Sequence, residues 1–294
     1  MKLGFIGLGV MGRPMALNLM KRGHQMGVYS RRAESAAPLV AAGARRYTTP
    51  AELAAASEAV FTMVTTSGDV EEVVLGEQGL IHGMPRGGVV IDMETIAPAT
   101  ARAVAERLAA KGVDMIDAPV SGGPAGAEQA ALSIMAGGKP HVFGRVKPLF
   151  ECLGRTIVYM GDHGAGQTTK ACNQLALLVT AQGTAEALTL ARRCGLDPAK
   201  VREVMLGGVA ASRVLELFGK RMVERDFAAG IEARLYHKDL GIALNLAHAA
   251  GQGAPAAAVA MQHINAIMGR GEGGNDLSTL LKVVESLGNN EDNS

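Results

Sequence analysis

The stretch Met1-Lys2-Leu3-Gly4-Phe5-Ile6-Gly7-Leu8-Gly9-Val10-Met11-Gly12 decides the fold, together with the helix-compatible run that follows it over 11–21. A short apolar strand over 3–6 runs straight into Gly-x-Gly-x-x-Gly. Binding a dinucleotide pyrophosphate requires that order. The first glycine permits a tight turn, the second lets backbone approach phosphate, and the third lets helix pack on strand. The helix N-terminus then offers N–H groups and partial positive charge to an anion. Gly7, Leu8, Gly9, Val10, Met11 and Gly12 are therefore the expected cofactor turn. The motif alone is a weak signal; its place between a strand and a helix makes it specific. A glycine-rich turn of another α/β fold is the competing reading.

Outward from that turn, short apolar runs alternate with amphipathic segments up to about residue 160. Strands are predicted at 3–6, 25–29, 59–63, 89–92, 114–117, 132–136 and 156–159. Helices are predicted to begin near Met11, Ala33, Ala51, Asp69, Pro98 and His141. The alternation predicts a mostly parallel, doubly wound sheet. The pattern changes at Gly161-Asp162-His163-Gly164-Ala165-Gly166. Residues 167–193 lack proline and read as one long helix ending near Gly195, with Arg192 and Arg193 in its last turn. Asp197-Pro198 supplies the N-cap and first position of the next helix. Further helices are predicted over 198–206, 212–225, 235–250, 255–268 and 276–287, with no strand among them. The expected organisation is an α/β dinucleotide-binding domain, 1–162, then an all-α domain, 163–294, entered through the long helix. The polar end over 288–294 reads as frayed.

With 294 residues and 48% hydrophobic content, the chain can bury large cores, built from Ala, Val, Leu, Ile and Met because Trp is absent. A net charge of +1 gives no bulk reason to expect nucleic acid or a membrane surface as partner. No apolar run reaches the roughly 18 residues of a membrane span, and the N-terminus reads as strand-turn-helix rather than a signal peptide. Cys152, Cys172 and Cys194 match neither a metal-ligand spacing nor a disulfide framework. Reduced thiols in a cytoplasmic protein are the expectation, and no metal site is expected.

The second strand should end beside the adenosine ribose, where an NAD site places an acid. Here Val28-Tyr29-Ser30-Arg31-Arg32 places two guanidinium groups there instead. A guanidinium fork pairs with phosphate, so Ser30, Arg31 and Arg32 point to NADP(H) as the preferred cofactor, with NAD(H) still possible. Arginines on a solvated loop are the plainer alternative.

Three further stretches carry chemistry. Asp117-Ala118-Pro119-Val120-Ser121-Gly122-Gly123 closes a predicted strand. Ser121, Gly122 and Gly123 can aim one hydroxyl and consecutive N–H groups at a carboxylate, though Ser-Gly-Gly is more often only a turn. In Gly164-Ala165-Gly166-Gln167-Thr168-Thr169-Lys170-Ala171-Cys172-Asn173-Gln174, helical spacing puts Lys170, Asn173 and Gln174 on one face. A lysine whose pKa responds to burial can give a proton to a carbonyl oxygen that accepts hydride; a surface lysine is the bland reading. In His237-Lys238-Asp239-Leu240, Lys238 can reach a cofactor or a substrate carboxylate, or simply sit in a solvated charge pair.

Taken together, these stretches resemble the β-hydroxyacid dehydrogenase family. The likeness spans nearly the whole chain: GLGVMGRPMALNL at 7–19, IDMETIAP at 91–98, DAPVSGG at 117–123, LSIMAGG at 132–138, GAGQTTKACNQ at 164–174 and HKDLGIAL at 237–244. The resemblance implies a Rossmann domain followed by a helical domain. Lys170 would be general acid in reduction, Ser121, Gly122 and Gly123 would bind the substrate carboxylate, and Asn173 would match the family's asparagine beside the lysine. Thr95 and Lys238 match cofactor contacts, and Val64-Thr65 falls where the family commonly has Leu-Pro under the nicotinamide. Departures are Gln174 in place of a common substrate-contacting Asn, Glu94 for Ser, and Ala130 for a usual Gly.

Within the family, 164–174 and GGVAASRVLE at 207–216 resemble the branch that reduces tartronate semialdehyde to D-glycerate. Glyoxylate, succinic semialdehyde, 3-hydroxyisobutyrate and serine remain alternative substrates. An imine reductase shares the fold, but the family's imine reductases carry other residues at the position of Lys170. A non-catalytic cofactor sensor is a reading of a different class, opposed by the intact lysine and Ser-Gly-Gly. The resemblance also implies a homodimer or homotetramer.

Overall fold

The computed structural model describes residues 1–288; of the tail read as frayed, 289–294 lie outside the described residues. The chain forms two compact units, Met1–Lys170 and a second that begins at Ala171. The first follows the alternation. β1 (Lys2–Ile6), α1 (Gly12–Lys21), β2 (Gln25–Tyr29), α2 (Ala37–Ala41), β3 (Arg45–Arg46), α3 (Pro50–Ala55), β4 (Ala59–Thr62) and α4 (Ser67–Leu75) come first. Then come β5 (Val89–Asp92), α5 (Pro98–Ala109), β6 (Asp114–Asp117), β7 (Val120–Ser121), α6 (Gly123–Glu128), β8 (Leu132–Gly138), α7 (Pro140–Phe150) and β9 (Gly154–Gly161).

The strands form one sheet in the order β3-β2-β1-β4-β5-β6-β8-β7, with β9 paired to β8. Strands β1 to β6 are mutually parallel; β8 runs antiparallel to β6 and β7 and parallel to β9. The order reverses between β1 and β4, so their C-terminal ends flank the crevice where doubly wound sheets take ligands. Successive side chains of a strand point to opposite faces. Leu3, Phe5, Ala59, Phe61, Val89 and Ile91 accordingly pack with α1, α6 and α7. Ile6, Val60, Val90 and Met115 pack with α3, α4 and α5 on the other face.

The second unit is helical. α8 (Ala165–Arg193) starts in the first unit and continues into it; α9 (Pro198–Leu206), α10 (Lys220–Glu224), α11 (Ala233–Ala249), α12 (Pro255–Gly269) and α13 (Leu280–Glu285) follow. Its core uses small residues at helical spacing, including Ala181 and Ala185 on α8, Ala243 on α11, and Ala257 and Ala260 on α12. Asp197 caps α9 by accepting from the Ala199 N–H, 2.9 Å. Among the described residues, no helix is long and apolar enough to cross a membrane.

The structure departs from the sequence expectations at several elements. β3 and β7, of two residues each, and α6 were not expected. The helix expected from Ala33 is a 3₁₀ turn (Ala33–Ser35) followed by α2, with Pro38 in the first turn of α2. The helix expected over 212–225 contains a π-helical turn, Leu215–Gly219, before α10. There Arg202 donates to the carbonyls of Leu215 (3.1 Å) and Glu216 (2.8 Å).

Candidate active site

The glycines of the first turn serve different needs. Gly7 has φ +91, and a Cβ there would lie 2.1 Å from the Met63 carbonyl oxygen, at the end of β4. A Cβ on Gly12 would lie 1.9 Å from the Gly7 carbonyl oxygen. Both are demanded by the fold. Gly9 is not: nothing lies within 4 Å of its Cβ position and its φ is not in the left-handed region. Its missing side chain leaves room above the turn rather than inside the protein. α1 begins beside that space with no side-chain cap and no acid in its first turn. An open backbone face on an uncapped helix N-terminus fits a dinucleotide pyrophosphate.

Val64 and Thr65 follow β4 on the other side of the same crevice, where Met63 N–H donates to the Ile6 carbonyl at 2.9 Å. At the end of β2, the Ser30 hydroxyl donates to the Arg32 carbonyl, 2.7 Å, which shapes the loop. The Arg31 side chain is 81% exposed and stands 3.6 Å from Asp69, a pairing too loose and too solvated to hold it. Asp69 itself belongs to the capping box of α4, with Thr66.

Thr62, Asp92 and Asp117 close β4, β5 and β6 in register. All three are buried. The Thr62 hydroxyl donates to Asp92 Oδ1 at 2.8 Å, and burial pushes Asp92 up to about 8, so it is mostly protonated at neutral pH. Asp117 accepts from the N–H groups of Gly164 (2.8 Å) and Gln167 (3.0 Å), at the start of α8. Gln167, buried, donates to the Glu94 carbonyl (2.7 Å) and accepts from the Ile96 N–H (3.1 Å). It thereby ties the loop that carries Thr95 to the first turn of α8. Neither role was read from the sequence. An acid that ends an apolar strand is a usable signal for Asp117; nothing marks Gln167 before its partners are known.

Ser121 ends β7, and the backbone then turns through Gly122 (φ +135) and Gly123 (φ +61). On α8, Thr168 and Thr169 turn their hydroxyls back to the carbonyls of Gly164 and Ala165, so they add little to the polar face. Lys170 is buried, at 6% exposure, a setting lysines rarely take unless paired. One turn on, in the second unit, Asn173 Nδ2 donates to Gln174 Oε1 at 2.9 Å, and Gln174 Nε2 donates to Asp239 Oδ2 at 2.6 Å. Lys238 Nζ stands 3.2 Å from Asp239 Oδ1. Four of the residues named from sequence or adjoining them thus form one chain across α8 and α11. The sequence reading named Asp239 only within a Lys238 charge pair, not as a partner of Gln174.

Two family descriptions divide the chain at β9. Residues 2–161 match the NAD binding domain of 6-phosphogluconate dehydrogenase, and residues 164–284 match the NAD-binding region of NADP-dependent 3-hydroxyisobutyrate dehydrogenase. The chain is 41% identical over 291 residues to the 2-hydroxy-3-oxopropionate reductase of Escherichia coli, which covers 99% of both chains. It is 40% identical over 265 residues to the 3-hydroxyisobutyrate dehydrogenase of Pseudomonas aeruginosa, covering 88% of this chain and 89% of that one. The crystal structure of a 3-hydroxyisobutyrate dehydrogenase from Salmonella typhimurium superposes with a TM-score of 0.88 at 29% identity, covering 96% of this chain and 99% of the other. With a full-length relative at this identity and both domains matched, the chain belongs to the NAD(P)-dependent β-hydroxyacid dehydrogenases.

Proposed function

We propose that this enzyme reduces tartronate semialdehyde to D-glycerate, with NADPH preferred over NADH. The match of the reductase relative over 99% of both chains carries the substrate choice. A second relative, named for 3-hydroxyisobutyrate, is almost as similar, so the other short semialdehydes and hydroxy acids form the comparison set. The exposed guanidinium of Arg31, with Arg32 and Ser30, supports a 2′-phosphate at the end of β2.

When bound, the nicotinamide supplies the hydride. Ser121 and the N–H groups of Gly122 and Gly123 hold the substrate carboxylate. Lys170 gives a proton from Nζ to the aldehyde oxygen as the carbon accepts hydride, so the aldehyde becomes a primary alcohol and the amine regains its proton from water. A charged ammonium at that oxygen also stabilises the developing alkoxide. Gln174 is engaged with Asp239, which supports Asn173 as the group that meets the substrate and Gln174 as the group that orients it. Thr95, Val64, Thr65 and Lys238 are the remaining cofactor contacts in this reading. A homo-oligomer belongs to the same reading, and Leu190, Leu196, Val204 and Val209 are exposed apolar side chains of the second unit that an interface would cover.

Initial rates of NADPH and NADH oxidation against tartronate semialdehyde, glyoxylate, succinic semialdehyde and methylmalonate semialdehyde test the substrate. The same assay on Lys170→Ala tests the chemistry. The expected result is fastest turnover of tartronate semialdehyde with NADPH, and a loss in kcat of about a hundredfold or more in the variant. NADPH affinity should be retained. Undiminished turnover by Lys170→Ala would remove the lysine from the reaction.

A further inference from the structure

Asp117 and Gln167 sit where a side chain can set the pitch and register of α8 one turn before Lys170. The Asp117 carboxylate takes two N–H groups from the head of that helix, on Oδ1 and Oδ2 separately. Two glycines clear the ground for it. A Cβ on Gly137 would lie 2.8 Å and 2.9 Å from the two carboxylate oxygens, and a Cβ on Gly166 would lie 2.3 Å from the Met135 carbonyl oxygen and 2.5 Å from that of Asp117. The head of α8 is thus seated directly on the ends of β6 and β8. From the same turn, Gln167 reaches the loop after β5 with both ends of its amide.

We propose that Asp117 and Gln167 are positioning residues for the reaction: Asp117 fastens the head of α8 to the sheet, Gln167 fastens the Glu94–Ala97 loop to that head, and Lys170 is thereby held in register with Thr95. The proposal rests on the reading of Lys170 as the proton donor.

A cap needed only for stability does not explain the choice of an acid. Burial pushes Asp117 up to about 6, above its value in an unfolded chain. Its stabilising share is therefore complete below the unfolded value and is lost as pH rises through about 6, so the ionised form is held at a cost at neutral pH. A neutral cap would escape that cost, but only a carboxylate accepts on both oxygens without presenting a donor. The titratable group that faces Asp117 from the neighbouring strand is Asp92 on β5; Arg102 on α5 packs beside Gly164, whose N–H the carboxylate accepts from, and β8 faces it with glycine.

The test is kcat and KM as a function of pH for the wild type, Asp117→Asn, Gln167→Met and Lys170→Ala, with NADPH affinity followed by its fluorescence. The wild type should lose kcat as pH falls through about 6, where Asp117 takes up its proton. Asp117→Asn turns an amide donor toward one of the two N–H groups. It should lower kcat about tenfold to a hundredfold, with NADPH affinity unchanged and the acid limb gone. Gln167→Met should lower kcat while keeping the acid limb, and it stands in if Asp117→Asn does not fold. Wild-type kcat and an unshifted acid limb in Asp117→Asn, or wild-type kcat in Gln167→Met, would overturn the proposal. Retained turnover in Lys170→Ala would overturn the reading beneath it instead, so the two failures are told apart.

Discussion

The strand ends of the first unit and the α8–α11 pairing of the second both gather polar groups, and they do so by opposite means. At the strand ends the geometry is written in backbone: Gly7, Gly12, Gly122 and Gly137 are places where a Cβ would collide or where φ is positive. In the helical unit it is written in side chains, as Asn173 to Gln174 to Asp239, with Lys238 at the far end. A backbone device fails abruptly when one atom is added. A side-chain device fails by degrees, because a lost hydrogen bond of this kind costs about 1–3 kcal/mol.

The largest effect should come from Gly7→Ala. The new methyl would meet the Met63 carbonyl oxygen at 2.1 Å in a left-handed conformation, so strand β1, its turn and β4 must part. Overpacking and conformational strain together make the cost about 3 kcal/mol or more. Urea unfolding should show it, or the variant should fail to accumulate in folded form. Gly9→Ala is the control, since nothing in the protein lies within 4 Å of its Cβ position. It should unfold like the wild type yet bind NADPH at least about tenfold more weakly, a loss of about 1.4 kcal/mol. If the two alanine variants were equally stable, the backbone half of the comparison would collapse.

An intermediate effect should come from the side-chain device. Asp239→Ala removes the carboxylate to which the buried Gln174 amide donates, at a cost of about 1–3 kcal/mol. Because Gln174 orients Asn173, the KM for the aldehyde should rise more than the KM for NADPH. Asp239→Asn retains an acceptor and should lose well under half as much stability. Equal losses in the two variants would show that the charge, through Lys238, matters more than the hydrogen bond to Gln174.

The same contrast explains what could be read before any coordinates. The parallel strands of the first unit were legible to within a residue or two because strands buried on both faces are apolar runs between turns. β3 was not, because Arg45–Arg46 is exposed and is a strand only through its pairing with β2. The first glycine turn was legible because steric need and sequence pattern coincide there. The polar face of α8 was legible from helical spacing, but not its wiring. Asp239 lies 65 residues from Gln174, and no local pattern announces that pairing. Asp117 was quoted within a motif and left without a task. An acid that closes a strand becomes a cap only once β9 and the head of α8 have been brought back to it.

The smallest effect should be a gain, at Ala130, one of two non-glycine residues with positive φ among the described residues. α6 ends at Gln129 in a Schellman arrangement: the Ala131 N–H donates to the Gly126 carbonyl at 2.9 Å, and Ala130 between them has φ +50. Glycine is the usual residue for that place, and the family likeness also leads one to expect it there. A non-glycine residue in the left-handed region gives up about 1–2 kcal/mol. Glycine gives up about 0.5–1 kcal/mol through the freedom of the unfolded chain. The first term is the larger, so Ala130→Gly should stabilise the enzyme by about 0.5–1 kcal/mol, read as a higher urea midpoint with an unchanged slope. Gln129→Gly, one residue earlier at φ −84, relieves no strain and should lower the midpoint. Opposite signs from neighbouring substitutions would confirm that a single backbone angle, rather than glycine content, sets the stability of the loop behind Ser121–Gly123. A lowered midpoint in Ala130→Gly would mean that packing of the alanine methyl outweighs the strain of its backbone.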